Sequence, residues 1–325
     1  MILVTGGAGF IGSNLVAALE ARGEEVAVCD RLGSGEKWRN LAKRELAALV
    51  EPAALEDFLE RRRGQISAVF HMGAVSSTTE RDADLVLATN FTLSERLWEW
   101  SVKAGARFFY ASSAAIYGDG KAGYDDAPEA LRRFRPLHPY GWSKLLFDRR
   151  ALRLASANST RPPQWAGLRF FNVYGANEYH KGPMRSVAKQ VHERLAKGEP
   201  ALLFRSHHPD YPDGGQKRDF IAVEDCIDVM MWLYDNREVS GLFNLGTGKA
   251  RSFAELAHAV AAALGRELLI RYVDTPPELR PQYQYFTEAA MARLRRAGYA
   301  RPFTPLEQGI ARYVKDFLDA PDPYL

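Results

Sequence analysis

Residues 1–12 read MILVTGGAGFIG, an apolar β-branched run that breaks into TGGAGFIG at residues 5–12 and passes into helical spacing from Ile11 to Arg22. Gly6, Gly9 and Gly12 fall directly after the strand and at the mouth of the helix. Each position has a physical use: Gly6 for the tight turn, Gly9 for close approach of a pyrophosphate to the backbone, and Gly12 for close helix-to-strand packing. The unpaired N–H groups at the helix start then face the phosphates. An isolated glycine motif is weak evidence, but the strand before it and the helix after it make this one a dinucleotide-binding turn.

Working outward, the first half alternates short apolar runs with helical patterns, which is how a parallel sheet with crossover helices reads. Strands are predicted at Ile2–Thr5, Glu25–Asp30, Leu46–Val50, Ile66–His71, Arg107–Ser112 and Ala166–Phe171. Helices are predicted at Ile11–Arg22, Ala53–Arg63, Leu85–Lys103 and Tyr140–Ala155, from apolar residues at helical spacing. The fold class is therefore α/β, a doubly wound parallel sheet of the Rossmann type with a smaller lobe. Past Asn172 the pattern loosens, and Ser206–Gly215, rich in His, Pro, Asp and Gly, reads as a surface loop. A helix at Val223–Tyr234 and a strand at Gly241–Leu245 mark a return to the sheet, before helices at Phe253–Leu264 and Leu306–Leu318. Residues 1–171 and 219–248 are expected to form the dinucleotide-binding domain, and 172–218 and 249–325 a discontinuous substrate-binding lobe.

The composition of the 325-residue chain is that of a soluble globular protein, with 46% hydrophobic and 26% charged residues. Its 43 basic and 40 acidic residues are scattered, with no basic run to suit nucleic acid or an anionic membrane. Cys29 and Cys226 fit neither a disulfide scaffold nor a metal-ligand spacing. His207 and His208 have no suitably spaced third ligand, so no metal is expected. No leader and no apolar stretch of membrane-spanning length is visible, which points to the cytoplasm.

The second predicted strand ends at Asp30, where an acidic residue would bind an adenosine ribose and favour NAD. Arg31 follows at once and Lys37 lies shortly after, and such cations would neutralise a 2′-phosphate and favour NADP.

Residues 140–144 read YGWSK, which puts Tyr140 and Lys144 on one face of a helix. A tyrosine that titrates near ~10 needs roughly 4 kcal/mol of preferential phenolate stabilisation to act as a base at neutral pH, and a nearby ammonium contributes to it. At residues 110–118, YASSAAIYG offers Ser112 and Ser113 at the C-terminal end of a strand, the side on which such sheets bind ligands. Ser113 is assigned to hold the reacting oxygen.

TGGAGFIG, YASSAAIYG and YGWSK together resemble the extended short-chain dehydrogenase/reductase family, whose members act on nucleotide sugars, and the resemblance spans most of the chain. HMGAVSSTTE at 71–80, LRFFNVYGANEYHKGPM at 168–184 and FNLGTGKARSF at 243–253 resemble its heptose-epimerase branch. That resemblance implies a second acid/base at Lys181, within His180-Lys181-Gly182. It implies cofactor contacts at Phe10, Ile11, Asp30, Arg31, Lys37, Met72, Gly73, Ala74, Val75, Ser76, Asn90, Lys144, Val173 and Lys181. Substrate contacts are implied at Asn172, Pro183, Gln190, Phe204, Arg218 and Tyr283, with Arg218 suited to a pyrophosphate. An ion pair of Arg218 with Asp219 or Asp225 is the alternative. The chain departs from some members of the branch at Met72 and Pro183, neither of which carries the chemistry. The branch also implies bound NADP, an ADP-heptose substrate inverted at C6, and a homo-oligomer, pentameric in that branch.

Three other functions compete. A nucleotide-sugar 4-epimerase would share the machinery but not the HKG element, and a 4,6-dehydratase would carry an Asp-Glu pair where this chain has Ala114 and Ala115. A non-catalytic NADP-binding sensor would have lost Tyr140, Lys144 or Ser113, and all three are present.

Overall fold

The computed structural model describes residues 1–157, 160–277, 280 and 283–325. Strands β1 (Ile2–Thr5), β2 (Val26–Cys29), β3 (Ala48–Val50), β4 (Ala68–His71), β5 (Arg107–Ser113) and β6 (Trp165–Phe170) pair in parallel. The chain then leaves the sheet for β7 (Asn172–Tyr174), β8 (Ala201–Phe204) and β9 (Lys217–Ala222), and returns as β10 (Gly241–Leu245) beside β6. The finished sheet has seven strands in the order β10-β6-β5-β4-β1-β2-β3. Two shorter strands follow, β11 (Ala250–Ser252) on β9 and β12 (Ile270–Val273) on β8.

Side-chain alternation along each strand sends residues to opposite faces of this sheet. Ile2, Val4, Val26, Val28 and Phe70 pack on one face against α1 (Phe10–Glu20), while Leu3, Ala27, Val69 and Phe108 pack on the other. The second face is covered by α2 (Leu55–Arg61), α4 (Leu93–Ala104) and α5 (Pro139–Ala155), with short α3 (Ala83–Leu87) preceding α4. A third core joins β8 and β9 to α6 (Val187–Ala196), α8 (Phe253–Leu264) and α10 (Leu306–Tyr313). Helix α7 (Val223–Asp235) lies beside α1, and α9 (Ala292–Arg296) lies beside β10. Among the described residues no helix is long and apolar enough to cross a membrane.

Several elements differ from the sequence expectation: strands β7, β8, β9, β11 and β12 were not predicted, the helix predicted over Leu306–Leu318 is α-helical only to Tyr313, and two further differences bear on the site. The helix predicted over Leu85–Lys103 is interrupted by a π-helical turn at Ala88–Thr92, which leaves the apolar repeat intact and turns Asn90 inward. Such turns occur frequently at functional sites. Helix α6 was not predicted, although Ser186 caps it and Ala188, Val191, His192 and Leu195 bury one face at helical spacing. The segment from Ser206 to Gly215 contains neither helix nor strand.

Candidate active site

The turn between β1 and α1 is built to be bare. Gly6 has φ of 67°, and a Cβ there would lie 2.5 Å from the backbone nitrogen of Gly73. A Cβ at Gly12 would lie 2.1 Å from the carbonyl oxygen of Gly6, so the helix meets the turn at a distance only glycine permits. Helix α1 has no side-chain cap at Gly9, which leaves its first N–H groups for a ligand.

A cleft of about 460 Å³ opens over this turn and carries Gly6, Gly9, Phe10, Ile11, Gly12, Asp30, Lys37, Met72, Gly73, Ala74, Ser76, Val173 and Lys181 on its wall. Ser113, Tyr140 and Lys144 close its inner end. Arg31, Val75 and Asn90 are not on that wall. The side chain of Asn90 accepts from the Val75 backbone nitrogen at 2.8 Å and donates to its carbonyl at 3.0 Å, pinning the 72–76 loop in place. It also donates to Ser143 on α5 at 3.1 Å, so Asn90 couples that loop to the helix carrying Tyr140.

Asp30 is spoken for on both oxygens. One accepts the Ala8 N–H at 2.9 Å, and the other takes Lys37 at 2.6 Å together with the Arg31 N–H at 2.7 Å. Lys37 therefore offsets the charge that would favour an unphosphorylated ribose. The Arg31 guanidinium stands exposed with no hydrogen bond or ion pair among the described residues.

A second cleft of about 360 Å³ shares Ser113, Tyr140, Phe170 and Phe171 with the first, and adds Asn172, Arg218 and Tyr283. The two clefts thus meet at the serine and the tyrosine. Ser113 is the serine that lines both clefts with Tyr140 and accepts the Ala115 N–H at 3.1 Å, whereas Ser112 donates to Asp148 at 3.0 Å, as strand alternation requires. Burial pushes the Tyr140 phenol above its ordinary value, and the neighbouring Ser113 hydroxyl works against that rise. Lys144 lies over the Tyr140 ring, 6.0 Å from its centre. Burial lowers the Lys144 ammonium to about 8, with Asp148 opposing.

Lys181 reaches the first cleft from the segment Tyr179–Met184, with its Nζ 5.2 Å from the centre of the Phe10 ring. Burial depresses its pKa, and Glu178 pulls it back. Glu178 is itself buried and receives the hydroxyls of Ser186 and Tyr313 at 2.7 and 2.8 Å. Asn40 ties the other side, donating to the carbonyls of Ala8 and Asn177 and to Nδ1 of His180. The chain's last residues add a strap, with Tyr179 donating to the Pro323 carbonyl at 2.7 Å and Lys43 to that of Tyr324 at 2.6 Å.

Arg218 is 8% exposed and makes no ion pair among the described residues. The carboxylate of Asp219 is filled by Thr247, Gly248 and Ala289, and that of Asp225 by Thr304, so the expected alternative of an ion pair fails. The guanidinium lies 5.2 Å from the centre of the Tyr283 ring. A buried cation without a carboxylate on the wall of a cleft suits an anionic ligand. Phe204 backs Tyr283 at 6.1 Å between ring centres, Gln190 donates to the Arg185 carbonyl, and Pro183 sits in the Lys181 turn; none of these lines the second cleft.

The sequence reading missed His138, Asp148 and Glu178. His138 could have been found from its place two residues before Tyr140, where a helix cap is expected. The other two left no local signal, because their partners are distant in the chain.

A parallel sheet with a glycine turn at its first crossover and a Tyr-x-x-x-Lys helix over its C-terminal edge defines a class, and residues 2–246 match the model of the NAD dependent epimerase/dehydratase family, to which the chain belongs. Within that class it is 48% identical over 328 residues to an ADP-L-glycero-D-manno-heptose-6-epimerase of Nitratidesulfovibrio vulgaris, with all of each chain covered. The Helicobacter pylori ADP-L-glycero-D-manno-heptose-6-epimerase matches with a TM-score of 0.79 at 29% identity, over 97% of this chain and 95% of that one. A Thermus thermophilus UDP-glucose 4-epimerase in complex with NAD matches with a TM-score of 0.80 at 30% identity, over 98% and 99% of the two chains. The resemblance to the heptose-epimerase branch is therefore borne out.

Proposed function

We propose that this protein inverts C6 of the heptose in ADP-D-glycero-D-manno-heptose to give the L-glycero epimer. The observation that carries the reading is the placing of Tyr140 and Lys181 on one cleft, in a chain similar from end to end to proteins of that name. The bare turn, the uncapped α1 and the 72–76 loop fit a nicotinamide dinucleotide. When bound, such a cofactor removes and returns a hydride and brings positive charge next to the phenol.

The chain's own groups do the rest. Ser113 Oγ holds the reacting oxygen, and Tyr140 Oη moves its proton in one epimer. Lys181 Nζ moves it in the other, and burial that lowers its pKa raises the fraction able to accept a proton. Lys144 keeps positive charge beside the phenol. Arg218 and Tyr283 grip the nucleotide end, and Asn172 faces the sugar. Conversion of purified protein's ADP-heptose without consumption of added cofactor tests this, and deuterium entering the sugar carbon from heavy water would refute hydride return.

The same reading takes NADP over NAD, on the offset Asp30 and the free Arg31. It includes residues 1–171 and 219–248 as the cofactor domain with the remainder as the substrate lobe, and a cytoplasmic homo-oligomer. Mass analysis of the released nucleotide and light scattering of the purified protein check the cofactor and the assembly.

A further inference from the structure

Helix α5 begins in an unusual way. Ser, Thr, Asp and Asn are the ordinary residues at a helix N-cap, and here the position is His138. Its backbone is extended, its Nδ1 accepts the Gly141 N–H at 3.1 Å, and its carbonyl accepts the Trp142 N–H at 3.1 Å. The imidazole lies parallel to the Tyr140 ring, with 5.9 Å between centres and 11° between planes.

The cap fixes the proton. A ring nitrogen that accepts an N–H carries no hydrogen of its own, so the neutral ring is protonated at Nε2. Burial keeps the ring neutral by lowering its pKa. Nε2 has no partner among the described residues, and the ring lines the second cleft with Asn172, Arg218 and Tyr283. A lone neutral donor thus stands beside the group at which the chemistry occurs.

We propose that His138 is a specificity residue whose Nε2–H donates to a hydroxyl oxygen of the substrate's sugar next to the reacting carbon, an inference that rests on the second cleft being the sugar pocket. A hydroxyl is the matching partner because phosphate oxygens draw charged donors, and Arg218 supplies that charge in the same cleft. The parallel Tyr140 ring, 5.9 Å away between centres, puts the imidazole near the reacting end of the ligand. The parallel rings also mean that a sugar engaging His138 bears on the position of the phenol.

The test uses the full-length, cofactor-loaded protein labelled with ¹⁵N-histidine. His138→Asn keeps a capping oxygen for the Gly141 N–H and removes the ring with its Nε2–H, leaving only an amide N–H₂ that stays closer to the backbone. The NMR signal missing from that variant identifies His138, and at pH 7 it is expected to report the Nε2–H tautomer. ADP-heptose or another nucleotide sugar should move it, and ADP alone should not. In turnover, His138→Asn should raise KM for ADP-heptose roughly tenfold, with kcat falling by a smaller factor and inhibition by ADP unchanged. An Nδ1–H tautomer, an equal response to ADP, or an unaltered KM overturns the assignment. A wild-type protein that is inactive on ADP-heptose, yet whose His138 signal moves with a different nucleotide sugar, overturns the proposed substrate and supports the role of His138.

Discussion

Asp148 and Arg169 form an ion pair at 2.9 Å with both side chains fully shut off from solvent, one helical turn beyond Lys144. The carboxylate also receives the hydroxyls of Tyr110 at 2.9 Å and Ser112 at 3.0 Å, so its charge is held in place from both β5 and β6. It is the group that opposes the loss of the Lys144 proton. The energetic cost of this buried pair is thus tied to the protonation of the lysine that lies over the Tyr140 ring.

Asp148→Asn should lower activity in a pH-dependent way. Removing the carboxylate lets the Lys144 pKa fall below its value of about 8, so the ammonium is lost at lower pH than in the parent. The sign is therefore a deficit that is largest near pH 8 and shrinks towards pH 6.5. Breaking a buried pair also costs stability, about 3–5 kcal/mol, so folding with cofactor bound must be verified first by circular dichroism. A deficit of the same size at every pH would mean that Asp148 acts through structure alone.

Lys144→Met should stabilise the cofactor-free protein while abolishing turnover. The folded-state pKa of about 8 lies below the unfolded value, so below pH 8 both states are protonated and the burial penalty is fully present. Between pH 8 and 10.5 the folded state sheds the proton and the penalty fades. Denaturant titration of stripped protein at pH 7 should show a gain of roughly 1–3 kcal/mol for the methionine variant, with a smaller gain at pH 9.5. No gain at pH 7 would show that Lys144 is comfortably solvated.

Arg31→Ala should weaken NADP by about tenfold and NAD by much less, measured by equilibrium binding to the stripped protein. The motivation is the pairing of Asp30 with Lys37, which leaves the exposed Arg31 side chain without a hydrogen bond or ion pair among the described residues. Equal losses for both nucleotides would reduce Arg31 to a surface charge.

How much of this could be read from the residues depends on how far apart the partners lie. The glycine turn and the YGWSK helix are local patterns, and β1, β10 and α8 fall where the periodicity put them. The π-helical turn at Ala88–Thr92 was hidden because one extra residue per turn does not disturb a short apolar repeat. Helix α6 was legible and overlooked, its stripe masked by the polar segments on either side. The Asp148–Arg169 pair joins α5 to β6, and Glu178 meets Tyr313 across most of the C-terminal lobe, so only the folded chain brings either together. The empty carboxylate environment of Arg218 belongs to the same category, since Asp219 is its immediate neighbour in sequence and yet points into the Thr247–Gly248 turn.

Lys181→Met and Tyr140→Phe should each cost at least about a hundredfold in kcat, with folding and bound cofactor retained. The reasoning starts from geometry: a hydroxyl presented on opposite faces of one carbon cannot meet a single fixed base, because proton transfer needs contact within about 3 Å. Tyr140 lines the cleft from α5, and Lys181 enters from the separate turn Tyr179–Met184, which puts the two proposed bases on different elements. Burial lowers the Lys181 pKa and Glu178 limits the fall, the balance expected of a lysine that both gives and takes a proton. Glu178 is anchored by Ser186 and Tyr313, so Glu178→Gln should shift the alkaline side of the rate profile downward, whereas Lys181→Met should remove activity throughout. The discriminating measurement is the split between KM and kcat in each epimer direction. If Lys181→Met raised KM and left kcat intact in both, the lysine would be a binding group for phosphate and the two-base mechanism would fall.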